Sequence, residues 1–231
     1  MPLAHPLTEQ QIRAAEALHG RLTGWQDIDT ALAKLAEQFP DFDGPSTLLK
    51  ATAINALYGT NVYAIYRMAK HVERVLSEAS PEIETWGLVE RMAALPGIDE
   101  KQPRQCLSFA SKFAHFFLGR EEYAIKDSYA ERMLRFHLGR ENTQVDRQHP
   151  YRAYLSNYHR LKELSHLELT NRELDRYLWL AGQYRTWSQN PETRLGRDIV
   201  ALFENPTSEV SAELEALLPS TQNATSGGEP Q

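Results

Sequence analysis

A carboxylate at the start of a helix is the first residue in this sequence whose type and position suit chemistry. The apolar pair Ala124-Ile125 is followed by Lys126 and then by Asp127. A helical pattern begins directly afterwards, at Ser128. A carboxylate held at a rigid helix start can stabilise positive charge that develops on a substrate, or it can activate a water molecule. Aspartate is also a preferred N-cap, which accepts hydrogen bonds from backbone N–H groups two or three residues later. The sequence leaves both interpretations of Asp127 open.

A second candidate group lies on the preceding helical segment, which runs from Ser108 to Phe117 and carries an aromatic face. Lys112 stands four residues after Ser108, so the two side chains share one face of the helix. A lysine in a substrate site can act as an amine nucleophile when its surroundings lower its pKa. The alternative is a lysine on a solvated helix face.

The elements that must position these residues are helices. Apolar residues recur with helical periodicity along nearly the whole chain, and alternation with a period of two is almost absent. Thr8 and Thr170 begin capping-box patterns, and Pro45 stands near the start of another helix. Pro103 is expected to open the helix that carries Ser108 and Lys112.

The pattern predicts about ten helices joined by short loops. Residues 1–218 are expected to form a single all-α domain, within which two lobes are plausible. Residues 219–231 are rich in small and polar types, which predicts a disordered tail.

Several classes of protein are excluded by composition and by missing motifs. No apolar run is long enough to cross a membrane, and the N-terminal residues lack the pattern of a secretory signal. The single cysteine, Cys106, excludes an intramolecular disulfide and a cysteine-rich zinc site. Phosphate-loop, dinucleotide, zinc-protease and serine-hydrolase motifs are absent. These features predict a cytoplasmic protein with no membrane contact and no metal.

The charges are divided unevenly along the chain. Residues 101–198 hold 17 basic and 12 acidic residues, whereas the segments before and after carry net charges of −6 and −5. A basic middle between acidic ends is compatible with binding an anionic polymer on one face. Solvated helix surfaces are the simpler explanation of the same pattern.

Two segments resemble a known family. The stretch Tyr-Ala-Ile-Lys-Asp127-Ser-Tyr-Ala resembles the catalytic-aspartate turn of the helix-hairpin-helix superfamily of DNA glycosylases, and it is closest to the archaeal-type 8-oxoguanine DNA glycosylases. Residues 48–69 resemble the early helix pair of that superfamily, in which an apolar helix ends in a polar turn that lines the base pocket. The resemblance covers residues 45–140 and implies the superfamily's all-α fold.

The resemblance implies a role for each reactive residue. Asp127 falls at the essential carboxylate, and Ser108 falls at the position of the lysine nucleophile of members that also cut the strand. A serine at that position implies a monofunctional mechanism that uses water. Lys112 could take the place of the lysine nucleophile only if the helix register shifts by one turn. The segment Leu95–Asp99 corresponds to the hairpin, with one glycine where the family usually has two.

The resemblance also implies which residues bind the substrate. A flipped base would be met by the turn after the early helix, by the hairpin's second helix and by a late helix, through Tyr58, Thr60, Asn61, Ser108, Trp179 and Gln183. Contacts to the DNA backbone are expected from three basic side chains, Lys126, Arg104 and Arg152. A turn between packed helices, an aromatic core stripe and solvated surface charges are the structural alternatives.

The sequence thus predicts an all-α, helix-hairpin-helix glycosylase-like protein that excises a damaged or modified base from DNA. No metal or organic cofactor is implied, and a single cysteine excludes the iron–sulfur cluster that some relatives carry. Two alternatives stay open: a catalytically silent relative that binds nucleic acid as a sensor or defence component, and a helical adaptor for protein partners.

Overall fold

The computed structural model describes residues 2–97 and 103–218. Within these ranges the chain forms eleven helices and one small sheet, which confirms the all-α prediction of about ten helices. The helices are α1 (Glu9–Arg21), α2 (Thr23–Gln38), α3 (Gly44–Tyr58), α4 (Ile65–Ser77), α5 (Thr85–Ala93), α6 (Leu107–Phe117), α7 (Ser128–Asn142), α8 (Pro150–Ser165), α9 (Asn171–Gln189), α10 (Arg197–Glu204) and α11 (Ser208–Leu217). Strand β1 (Ala94–Leu95) pairs antiparallel with β2 (Arg104–Gln105).

The predicted helix starts are confirmed by their caps. Thr8 and Thr170 each form a reciprocal capping box with the residue three positions later. Asp43 caps α3, and Pro45 lies in its first turn. These local signals position α1, α3 and α9, whose side chains meet at the site described below.

The helix that Pro103 was expected to open begins four residues later, at Leu107. Residues 104–105 instead pair antiparallel with the backbone of residues 94–95, about ten positions earlier in the chain. The backbone N–H of Cys106 continues this contact by donating to the carbonyl of Ala93 at 2.9 Å. Two residues of the segment predicted as a hairpin, Ile98 and Asp99, and the predicted tail of residues 219–231 lie outside the described residues.

The helices pack around one continuous apolar cluster. Helices α1, α7, α9 and α11 contact one another on one side, and α3, α4, α5 and α6 contact one another on the other side. Helix α2 touches both groups, and α8 contacts α5 and α7. The junction of the two groups lies beside α6, α9 and the start of α7, and it encloses the cavity that holds the candidate site.

A glycine sets the distance between α9 and the start of α7. A Cβ atom at Gly182 would lie 2.6 Å from the carbonyl oxygen of Tyr129 and 2.9 Å from its Cβ. Only glycine therefore lets α9 approach the first turn of α7 this closely. That approach places the cavity-facing side chains of α9 next to Asp127.

None of the described helices is both long and apolar enough to cross a membrane.

Candidate active site

A cavity of about 610 Å³, including the part open to solvent, lies where the two helix groups meet. Its walls come from α1, α2, α6 and α9, from the end of α3 and from the segment around the start of α7. Several of these helices contribute a pair of side chains spaced by four residues, and therefore stacked on one face. The pairs are Trp25 and Asp29, Lys112 and Phe116, Arg172 and Arg176, and Asp175 and Trp179.

Asp127 is both the N-cap of α7 and part of the cavity wall. Its Oδ1 accepts the backbone N–H groups of Tyr129 at 2.9 Å and Ala130 at 2.8 Å. Its Oδ2 accepts no hydrogen bond from the described residues. The cap thus fixes the carboxylate through one oxygen and leaves the other available to a ligand. Asp127 can therefore serve as a helix cap and as a reactive carboxylate at the same time.

Lys112 lies inside the protein and lines the same cavity, with 5% of its surface exposed. Its Nζ donates a hydrogen bond to Oγ of Ser108 at 2.8 Å and lies 5.8 Å from the centre of the Tyr58 ring. Burial lowers the pKa of the Lys112 amine, while the nearby carboxyl groups of Asp127 and Asp175 partly oppose that shift. The alternative of a solvated surface lysine is therefore wrong.

Asp175 is the acidic residue of the site that the sequence interpretation missed. It is 7% exposed, and its Oδ1 is buried without a hydrogen-bond partner among the described residues. Its Oδ2 accepts the backbone N–H of Ile125 at 3.4 Å. Burial raises the pKa of this carboxyl well above its usual range, and Lys112 only partly counteracts the shift. The spacing of four residues to Trp179, which the sequence did single out, was the available signal.

His115 contributes an uncharged ring to the same wall. Its Nδ1 lies 2.8 Å from the carbonyl oxygen of Tyr123, to which it donates, and 3.6 Å from Oδ2 of Asp175. Burial lowers the pKa of His115 to about 4, so the imidazole is neutral near pH 7. The donated proton on Nδ1 leaves Nε2 as an acceptor.

Four aromatic rings form a continuous wall. Trp25 contacts Trp179 edge to face at 4.7 Å between ring centres and Tyr58 at 5.5 Å, and Tyr58 contacts Phe116 at 5.4 Å. Such offset and tilted contacts stabilise one another and leave planar faces available for a flat ligand. Of these four rings, Tyr58 and Trp179 were predicted, and Trp25 and Phe116 were not.

Charged side chains edge the cavity on the side of α2 and α9. Asp29 accepts from Arg172 at 3.3 Å, from Arg176 at 3.5 Å and from the hydroxyl of Tyr58 at 3.3 Å. Arg176 also pairs with Glu16 at 2.7 Å. These bonds hold the Tyr58 ring against the cavity.

The structure brings together four of the predicted site residues, Lys112, Asp127, Tyr58 and Trp179, at one cavity. Ser108 reaches that cavity only through its hydrogen bond to Lys112. The other three predicted base contacts lie outside the cavity wall. The hydroxyl of Thr60 donates to Asn55, the carbonyl of Asn61 accepts from Arg104, and Gln183 is buried in α9.

The three basic residues expected on DNA are dispersed. Lys126 pairs with Glu131 at 2.6 Å beside the start of α7. Arg104 lies over the exposed ring of Tyr63, 5.7 Å from its centre. Arg152 lies over Trp86, near the start of α8. Within the described residues, no group of three or more His, Cys, Asp or Glu side chains is arranged to hold a metal ion.

The family model described as HI_0787_N, N-terminal domain, matches residues 8–122 of this chain. The matched range contains Trp25, Asp29, Tyr58 and Lys112, whereas Asp127 and the α9 side of the cavity follow it. No curated protein and no solved structure matches the chain.

Proposed function

We propose that this protein cleaves the N-glycosyl bond between a damaged or modified base and its sugar in DNA. One observation carries the proposal: a carboxylate, Asp127, and a buried amine, Lys112, face the same aromatic-walled cavity. Enzymes that act on a base take it out of the helical stack and into a pocket of aromatic and apolar side chains. The aromatic wall and the polar groups of this cavity have the character of such a pocket.

The base would lie against the wall formed by Trp25, Tyr58, Phe116 and Trp179. A neutral carboxyl on Asp175 can donate one hydrogen bond and accept others, which suits the polar edge of a base. Asp175 lines the cavity, so its carboxyl is near enough to bond the edge of a bound base in this way.

Asp127 would act on the sugar. Breaking the bond between C1′ and the base nitrogen leaves positive charge on the sugar, and a fixed carboxylate stabilises that charge in the transition state. The two backbone N–H bonds to Oδ1 hold Asp127 in place before the substrate arrives. The electron pair of the broken bond leaves with the base.

The place of Lys112 favours an amine nucleophile over the water-using mechanism that Ser108 implied. Because burial lowers the pKa of Lys112, a larger fraction of the amine is uncharged and able to attack C1′. The attacking nitrogen then loses a proton, for which Asp127 is the nearby acceptor. The sugar ring then opens as the bond between C1′ and O4′ breaks, and O4′ takes up the proton held by Asp127. The product is a protonated imine between C1′ of the opened sugar and Lys112, with the base released.

We propose DNA as the partner and the cytoplasm as the location, with no cofactor. The proposed partner rests on the chemistry of the cavity, and the proposed location rests on the sequence features given above. A catalytically silent relative that binds nucleic acid, and a helical adaptor for protein partners, are the alternatives that the following experiment separates.

The test is release of the base from oligonucleotides that carry a panel of damaged and modified bases. Abasic sites are detected by heat or alkali cleavage, for the wild-type protein and for Asp127→Asn. Asp146→Asn is the matched control, because Oδ1 of Asp146 also accepts the backbone N–H groups two and three residues later but does not line the cavity. Release that is lost only in Asp127→Asn supports the proposal.

Binding of the oligonucleotides without release of any base would favour the silent relative. Absence of binding at low salt would favour the adaptor.

A further inference from the structure

An arginine beside the cavity has no partner within the described part of the chain. Arg120 follows the end of α6 and lines the cavity, yet it forms no hydrogen bond or ion pair with any described residue. Its guanidinium lies 5.3 Å from the centre of the Phe116 ring. A half-buried guanidinium in this setting has most of its five N–H donors available to a ligand.

Arg172 is the second positive group at this position. Like Arg120, it lines both the cavity and an adjoining crevice along α2, and Asp29 does so too. Lys112, Asp127 and Asp175 line the cavity alone. The reactive groups and the arginines therefore occupy different parts of the wall.

The arginines lie close enough together to repel one another. Arg172 and Arg176 share Asp29, and Arg176 also pairs with Glu16, whereas Arg120 forms no ion pair with a described residue. Burial and the positive charges of Arg176 and Arg120 lower the pKa of Arg172. A bound anion would remove this repulsion, and planar guanidinium groups suit oxyanions because they donate two parallel hydrogen bonds.

We propose that Arg120 and Arg172 form an anion subsite at the opening between the cavity and the α2 crevice. The subsite takes a negatively charged group of the molecule whose base occupies the cavity. That assignment of the ligand rests on the proposed function, whereas anion binding by the two arginines does not. The anion is either a phosphate of the DNA strand or a charged substituent of the modified base, and both present oxygen atoms to guanidinium groups.

The first experiment uses inorganic phosphate alone and follows tryptophan fluorescence, because Trp25 and Trp179 line the same cavity. Phosphate is expected to change the fluorescence saturably, and Arg120→Gln is expected to weaken its binding about tenfold, as for loss of a charged hydrogen bond. Arg120→Lys should recover part of the affinity. Arg140→Gln is the control, since Arg140 is exposed in the last turn of α7 and does not line the cavity.

The second experiment identifies the source of the anion. One arm compares oligonucleotides in which single phosphates next to the target nucleotide are replaced by neutral methylphosphonates. The other arm compares a free pyrimidine base with the same base carrying a carboxylate. If the neutral methylphosphonate makes binding insensitive to Arg120→Gln, the anion is a phosphate of the strand. If only the base that carries a carboxylate binds in a way that depends on Arg120, the anion is a substituent of the base.

Two results would overturn the anion subsite: no saturable effect of phosphate on the wild-type protein, or equal affinities of Arg120→Gln and Arg140→Gln. Binding of phosphate that depends on Arg120, in a protein that releases no base from any oligonucleotide, would support the subsite and refute the proposed function.

Discussion

The amine nitrogen of Lys112 lies 2.8 Å from the hydroxyl oxygen of Ser108, one helical turn earlier on α6. This is the one hydrogen bond that the side chain of Lys112 forms within the described residues. Because a hydroxyl can accept this bond from an ammonium or from a neutral amine, it holds the side chain without fixing its charge. Ser108 is therefore a positioning residue for Lys112.

The first prediction concerns a covalent intermediate. If Lys112 attacks the sugar, borohydride added during base release should reduce the imine and leave a stable adduct between protein and DNA. Lys112→Gln should give no adduct. Ser108→Ala should still form it, because the substitution removes only one hydrogen bond from the amine. The adduct is measured as a shift in denaturing gel electrophoresis with labelled DNA.

Base release by the wild-type protein without any adduct would instead support the water-using mechanism implied by the alignment of Ser108. In that case the strand should stay intact until heat or alkali cleaves the abasic site. An adduct that persists in Lys112→Gln would place the nucleophile on another amine.

The second prediction separates the two roles of Asp127. Asp127→Asn keeps a good cap and should change the free energy of unfolding by less than about 1 kcal/mol, whereas Asp127→Ala should cost about 1 kcal/mol. Both variants should lower the rate of base release by about 100-fold or more, because neither carries the negative charge. Urea denaturation and the abasic-site assay measure the two effects. An active Asp127→Asn protein would remove Asp127 from the mechanism.

Local signals were sufficient for the helix starts but not for the faces of the helices. Thr8, Thr170 and Asp127 cap as predicted, because a cap depends on residues within four positions along the chain. Which side of α6 faces the cavity depends on helices far away in sequence. The sequence could therefore not decide which of Ser108 and Lys112 faces the cavity, and the packing of α6 brings Lys112 to its wall.

Two further features depend on contacts with a different element of the structure. The pairing of Arg104–Gln105 with Ala94–Leu95 is set by β1 and not by a local strand pattern. Asp175 has the sequence context of an ordinary helix residue, and only the packing of α9 against the Asp127 segment buries it. The sequence of α9 alone therefore does not indicate that Asp175 is buried.

The third prediction uses the pH dependence of stability. The pKa of Asp175 is raised in the folded protein, so above pH 4 the unfolded chain releases a proton that the folded protein keeps. Asp175 therefore lowers stability progressively as the pH rises from about 4 toward its folded pKa. Asp175→Asn should be more stable than the wild type at pH 7, and the difference should shrink as the pH falls toward 4.

Urea denaturation of both proteins at several pH values measures this difference directly. A difference that is independent of pH would mean that Asp175 is ionised in the folded protein. In that state it could not donate a hydrogen bond to a base.

The fourth prediction concerns the DNA surface. Each phosphate that a basic residue neutralises releases counterions, so a contact with about three to six phosphates gives a slope of about −3 to −5 in a plot of log affinity against log salt concentration. Arg104→Gln should weaken binding to all sequences alike and make the slope less steep by about 1. Arg140→Gln, which changes an exposed arginine on a different surface, is the control variant for this comparison of slopes. Equal slopes for the wild type and Arg104→Gln would exclude Arg104 from the contact.

The fifth prediction tests whether close packing of α9 on α7 positions the site. A methyl group at residue 182 would lie 2.6 Å from the carbonyl oxygen of Tyr129, so Gly182→Ala must push the first turn of α7 away from α9. We expect a loss of about 1–3 kcal/mol in the free energy of unfolding, as for other overpacked contacts. We also expect a larger loss of base release than this destabilisation explains, because Asp127 caps the turn that moves.

Gly20→Ala is the matched control: Gly20 lies in α1 with no atom within 4 Å of an added Cβ, and alanine there should stabilise the helix by about 0.5–1 kcal/mol. A Gly182→Ala protein with wild-type activity would show that the distance between α9 and Tyr129 does not control the position of Asp127.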